Sequence, residues 1–181
     1  DMTSGPSTLT GSVDMTHGGG GRAMAELIRT LFQKHFSNPV LDQGNDGALV
    51  ALPPGRVVIS TDSHVITPLF FPGGDIGALS INGTVNDVAM MGAKPLYLSV
   101  GFILEEGFPL ADLEKIVISM AAAAKTAGVT IATGDTKVVE KGKGDGVFIS
   151  TTGIGVVPEG VRTSGDSARP GQAVLVSGTI G

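Results

Sequence analysis

Between residues 96 and 133 the chain reads strand, helix, strand, and this alternation confines it to folds in which helices lie over a sheet. Residues 96–104 form an apolar run of strand length. Pro109 then opens the clearest helix of the chain, because proline's missing N–H costs nothing in the first turn. Leu110, Leu113, Ile116, Val117, Met120 and Ala124 recur at helical spacing on one face, Asp112 and Glu114 place acids near the positive end, and Gly128 closes the helix. Residues 129–133 are β-rich again. Residues 134–137 predict a break, after which Val138 and Val139 continue.

The flanks extend the same pattern. Met24, Leu27, Ile28 and Leu31 predict a helix that Phe32 and Phe36 lengthen and that stops near Ser37-Asn38-Pro39. Residues 48–52 and 56–61 predict a hairpin across Pro53-Pro54-Gly55. Residues 68–74 read as a loop. Asp75 can cap a helix to about Met91 with Leu79, Val85, Val88 and Ala89 as its apolar positions. A charged turn at 140–146 precedes a β-rich run at 147–157, and 173–177 predicts a last strand. The fold class is α/β or α+β, with helices over one sheet and no internal repeat. Residues 1–16 read as a flexible lead-in, native or added. Residues 17–170 read as one domain and 171–181 as the start of a truncated second one.

Near Leu49, Val57–Ile59, Leu98–Val100 and Val147–Ile149 apolar residues occupy both neighbouring positions of a strand. A half-buried strand alternates, so the second face needs a cover, and a second copy of the chain is the expected one.

Composition removes several functions. Charged residues are 16% with a net charge of −5, which supplies no basic footprint for nucleic acid, and aromatics at 4% are too few for base stacking. No apolar run reaches the length of a membrane span, and the N-terminus lacks a signal-peptide pattern. The absence of cysteine removes thiolate metal sites and thiol nucleophiles from these residues, and three scattered histidines make no zinc site.

What remains is a set of acids at element boundaries. Asp46 precedes a predicted strand, Asp62 and Asp135 follow strands, and Asp87 lies inside a helix beside Asn86. Magnesium takes hard oxygen ligands, usually one or two carboxylates with phosphate oxygens and water, and acids at strand ends can converge on such a site. Asp46 also fits a plain turn-former, and Asp87 a solvated helix face. Gly18, Gly19, Gly20 and Gly21, following His17 and preceding a helix, can present N–H groups to phosphate or form a flexible lead-in. They are not a Walker A loop, since no Gly-Lys-Ser/Thr follows. Lys137, beside Asp135 and Thr136, can meet a phosphate as a point charge or sit exposed on a strand. His17 is the best placed of the histidines for a ligand. His35 reads as structural, and His64 suits a surface role better than ligand contact.

Thr61-Asp62, Asn86-Asp87 with Met91-Gly92-Ala93, and Gly134-Asp135-Thr136 resemble the signature of the aminoimidazole ribonucleotide synthetase-like ATP-binding superfamily. Within it, His17 to Gly21, Ser60-Thr61-Asp62-Ser63, Pro68-Leu69-Phe70-Phe71-Pro72-Gly73-Gly74, Gly101-Phe102-Ile103-Leu104-Glu105-Glu106-Gly107 and residues 134–139 resemble the HypE family of hydrogenase maturation proteins. The likeness runs from about Thr16 to Gly181.

The resemblance implies an N-terminal domain of the synthetase-like fold, a mixed sheet covered by helices that pairs with its equivalent across a homodimer. It implies ATP and Mg2+ as cofactors. Asp46, Asp62, Asp87 and Asp135 would hold metal; Gly18 to Gly21, Thr61, Asn86, Gly134, Thr136 and Lys137 would hold nucleotide; Lys137 and Asp87 would act in catalysis. The implied activity is an ATP-dependent dehydration of an S-carbamoyl group on the protein's own C-terminal cysteine to a thiocyanate, the source of cyanide ligands in [NiFe] hydrogenase. The implied partners are the carbamoyl transferase HypF and a HypC–HypD scaffold complex, in the cytoplasm, with no nucleic acid or membrane. With no cysteine, and ending at Gly181, this chain is expected not to turn over that substrate by itself. The same acids would serve a thiamine-monophosphate kinase or a selenophosphate synthetase, although the latter's usual reactive residue near the N-terminus is missing. A third reading is a dimerisation and docking module with no chemistry of its own.

Overall fold

The computed structural model describes residues 9–176 and 178–179. A short 3-10 turn (Met15–Gly18) leads into α1 (Arg22–Leu27), which continues through a π-helical turn (Ile28–Phe32) into α2 (Gln33–Phe36). Then come β1 (Arg56–His64), a minimal hairpin of β2 (Phe70–Phe71) and β3 (Gly74–Asp75), α3 (Ile76–Met90), β4 (Lys94–Glu105), α4 (Leu110–Ala127), β5 (Thr130–Val139) and β6 (Val147–Val157). Asp75 caps α3 by accepting from the Ala78 N–H at 3.0 Å, and Gly128 ends α4 in the left-handed conformation (φ 69°) that other residues adopt at a cost.

Among the described residues the main sheet has the order β1-β6-β4-β5. β6 runs antiparallel to β1 and β4, and β4 runs parallel to β5 because α4 carries the chain back between them. The sheet is therefore mixed and the class α+β, as expected. α3, α4 and the N-terminal helical segment cover one face. Ile81, Leu98, Leu104, Leu113, Ile116, Met120 and Ile149 form the centre of that core. Phe32 reaches Phe102 at 5.0 Å between ring centroids. A buried Glu114 on α4 meets Lys34 Nζ at 3.0 Å and lies 3.5 Å from His35 Nε2, tying the N-terminal helix to α4 and giving His35 its structural place.

The structure corrects several expectations. Residues 48–52 form no strand and Leu49 is 90% exposed, because β1 takes its partner from β6 through a nine-residue register instead of from the preceding segment. There is no break at 134–137: β5 runs through it, and Gly134 is the residue that permits this, since a Cβ there would stand 2.6 Å from the Val100 carbonyl oxygen. Residues 173–176 are exposed and form no strand; Ser177 lies outside the described residues. Of the apolar positions assigned to α3, Leu79 and Ala89 are exposed, and small residues replace them at the contact: Gly77, Ser80 and Thr84 are buried. The lead-in does not extend to Thr16 either. Val13 is buried, its N–H donates to the Phe108 carbonyl and its carbonyl accepts from Gly107.

Candidate active site

Alternation along the strands sorts the predicted residues onto two faces. On β1, Ser60, Asp62 and His64 point toward α3, whereas Thr61 and Ser63 point to the uncovered face. Ser60 Oγ donates to Asp87 Oδ2 at 3.1 Å, and Asp62 Oδ1 accepts from the Ser63 N–H at 2.9 Å. A Cβ on Gly83, one helical turn from Asp87 on α3, would stand 3.4 Å from Asp62 Oδ2. Asp62 and Asp87 thus share one seam between β1 and α3. Asn86 is exposed next to Asp87.

Asp135 lies elsewhere. It sits on β5, at the other edge of the sheet, and its register partners are Gly101, then Ser150, then Ser63. It therefore shares the uncovered face with Ser63, while Asp62 shares the covered face with the buried Thr151. The two acids are separated by three strand spacings, roughly 14 Å. Lys137 Nζ pairs with Asp135 Oδ2 at 3.3 Å, both side chains being well exposed. Thr136 points the opposite way and is buried, so the hydroxyl of Thr136 and the ammonium of Lys137 do not face one phosphate. Asp46 stands exposed in the loop before β1. Within one chain, then, the four acids form a β1–α3 pair, a β5 acid with its lysine, and a loop acid; no group of three metal-binding side chains is assembled among the described residues.

The glycine run has a definite place. Gly18 packs on β5, where a Cβ would meet the Val138 nitrogen at 2.8 Å, and Gly20 adopts φ 72°. His17 is used internally: its Nδ1 accepts from the Asp14 N–H at 3.0 Å, while Asp14 caps the turn through Thr16 N at 2.8 Å. Bonds from the Thr16 hydroxyl and N–H hold the Asp14 carboxyl below the usual carboxylate range. The run thus borders the same strand as Asp135 and Lys137. A cavity of about 150 Å3 opens beside them, lined by Ile28 and Phe32 of the π turn and by Gly134, Asp135 and Thr136.

Sequence reasoning passed over a hydroxyl band on the uncovered face. Thr61 meets Thr152 at 2.8 Å and Ser63 meets Ser150 at 3.3 Å; Ser99 and Thr133 continue the band toward Asp135. Exposed Ile59 and Ile103 flank it. The available signal was the spacing of two between the hydroxyl residues in both β1 and β6. The surface role expected of His64 does not hold: the side chain is buried, because β1 turns it to the covered face, which its neighbours in sequence do not reveal.

A family model described as AIR synthase related protein, N-terminal domain, matches residues 44–157. The chain belongs to this family. The resemblance to HypE is also borne out. The chain is 69% identical over 171 residues to carbamoyl dehydratase HypE of Azotobacter vinelandii, covering 94% of this chain and 50% of that protein. A crystal structure of hydrogenase maturation protein HypE in complex with ATP is 55% identical, with a TM-score of 0.84, over 87% of this chain and 47% of that one. A crystal structure of a HypE–HypF complex matches at 55% identity and a TM-score of 0.64, over 80% of this chain and 47% of that one. The chain spans about half the length of the relatives it matches. Among the described residues no helix is long and apolar enough to cross a membrane.

Proposed function

We propose that this chain is the ATP-binding lobe of a HypE-type carbamoyl dehydratase acting in hydrogenase maturation. The observation that carries the reading is the likeness, at 55% identity and a TM-score of 0.84, to a HypE crystallised with ATP. ATP supplies a phosphoryl group for the oxygen of an S-carbamoyl cysteine, so that phosphate, a good leaving group, departs in place of hydroxide and a thiocyanate remains. Charge neutralisation and positioning are what a protein contributes to such a transfer.

The donor set suits Mg2+, which takes oxygens and rarely more than two carboxylates. Asp62 and Asp87 would hold one ion from the β1–α3 seam, and Asp46 and Asp135 would serve a separate one from the loop and β5. Lys137 would leave Asp135 to face the phosphates. Gly18 to Gly21, Thr61, Asn86 and Gly134 would line the nucleotide, with Thr136 acting from beneath the strand. The uncovered sheet face supports a homodimer. HypF and a HypC–HypD scaffold are the proposed partners, and the cytoplasm the proposed compartment.

The test is Asp87→Asn in the full-length protein. ATP consumption by the carbamoylated protein should fall by at least about a hundredfold, the scale at which electrostatic contributions to catalysis operate. A wild-type rate would remove Asp87 from metal binding.

A further inference from the structure

His64 ends β1 on the covered face with only 6% of its surface exposed. Its Nε2 stands 3.4 Å from Asp62 Oδ2, and its Nδ1 is buried without any hydrogen-bond partner. A side chain kept only to fill space would be apolar here, because a buried nitrogen with no partner costs stability. The space itself is reserved: a Cβ on Gly83 would come within 2.9 Å of His64 Nε2. α3 therefore carries glycine where the imidazole meets the carboxylate.

We infer that His64 is a positioning residue for Asp62, its imidazole Nε2 set against Oδ2 while the Ser63 N–H holds Oδ1. The tautomer follows from burial. If Nε2 carries the proton, the orphaned Nδ1 is an acceptor, which interiors tolerate better than an orphaned donor. At 3.4 Å the two groups are within ion-pair distance, but no hydrogen bond is formed between them in this structure. With both oxygens directed by the protein, the carboxylate would have one orientation left for a cation. Partners of this kind behind a ligating group typically change metal affinity 10–100-fold. The inference rests on the proposed role of Asp62 as a cation ligand.

The probe is Mn2+, titrated by electron paramagnetic resonance into the full-length protein with a non-hydrolysable ATP analogue. His64→Leu removes the donor, His64→Gln places an amide N–H near the Nε2 position, and His64→Asn places one near Nδ1. His64→Leu should weaken Mn2+ binding about tenfold without lowering the thermal midpoint, and His64→Gln should restore most of it. Unchanged Mn2+ affinity in His64→Leu, or equal losses in Leu and Gln, would overturn the inference while leaving the proposed function intact. If His64→Leu does not fold, Gln against Asn decides: Gln should bind more tightly, and equal affinities would overturn the inference. A wild-type protein that binds no Mn2+ with the nucleotide would overturn the proposed site and this inference together.

Discussion

A Cβ added to Gly77 would stand 2.4 Å from the carbonyl oxygen of Ile116. That single distance sets how closely α3 and α4 approach, and the obstacle is backbone, which cannot rotate away. Gly77→Ala should destabilise the chain by about 1–3 kcal/mol, the usual scale of overpacking. Gly47, with no atom within 4 Å of its virtual Cβ, is the control, and Gly47→Ala should be near neutral. Urea unfolding of both variants checks the pair; equal midpoints would show that the helices can part without loss.

The Glu105 carboxylate holds the 140–146 turn. It accepts from the Gly142 N–H at 2.6 Å and the Gly146 N–H at 2.9 Å. The Gly142 bond first, then the Gly146 bond, keep its carboxyl below the ordinary glutamate value. A lowered pKa in the folded state means stability that is present above the ordinary value and lost as pH falls through the folded one. Glu105→Gln should therefore be less stable than wild type at neutral pH, with the gap narrowing as pH falls through the acid range. Thermal midpoints measured across that range check it, and a gap that does not change with pH would exclude the carboxylate charge as its cause.

Glu114 is buried at 2% exposure against Lys34 and His35. Truncation would strand donors that now end on one carboxylate. Glu114→Ala should cost about 1–3 kcal/mol, the scale of an unsatisfied buried group, and should loosen the N-terminal helix before the sheet. Hydrogen exchange at residues 22–36 compared with β4 measures the difference; uniform exchange across both would contradict it.

Ile59 is 67% exposed on the uncovered face of the edge strand β1. If a second copy covers that face, Ile59→Lys should shift the chain from dimer to monomer in light scattering at micromolar concentration, with the secondary structure unchanged. A monomeric wild type would remove the homodimer from the proposal.

Much of the fold was legible because it rests on local patterns. The helix from Leu110 and its end at Gly128, the Asp75 cap and the strand at 147–157 follow from periodicity and from backbone preferences that each residue carries with it. The failures have one cause. Residues 48–52 have strand composition, but pairing is a contest between distant segments, and β6 won it. Gly134 looks like a break until the Val100 carbonyl is seen against it.

The candidate site divides in the same way. The sequence by itself determined which residues carry charge and hydroxyl groups, and the motifs by which the family resemblance could be read. Only the tertiary structure decided that Asp62 and Asp87 share a seam while Asp135 sits on the other face and edge, and that His64 is buried against Asp62. Side-chain type is a property of one position. Which face it takes, and what it meets there, depends on strand order and register, which are set by burial summed over the whole sheet.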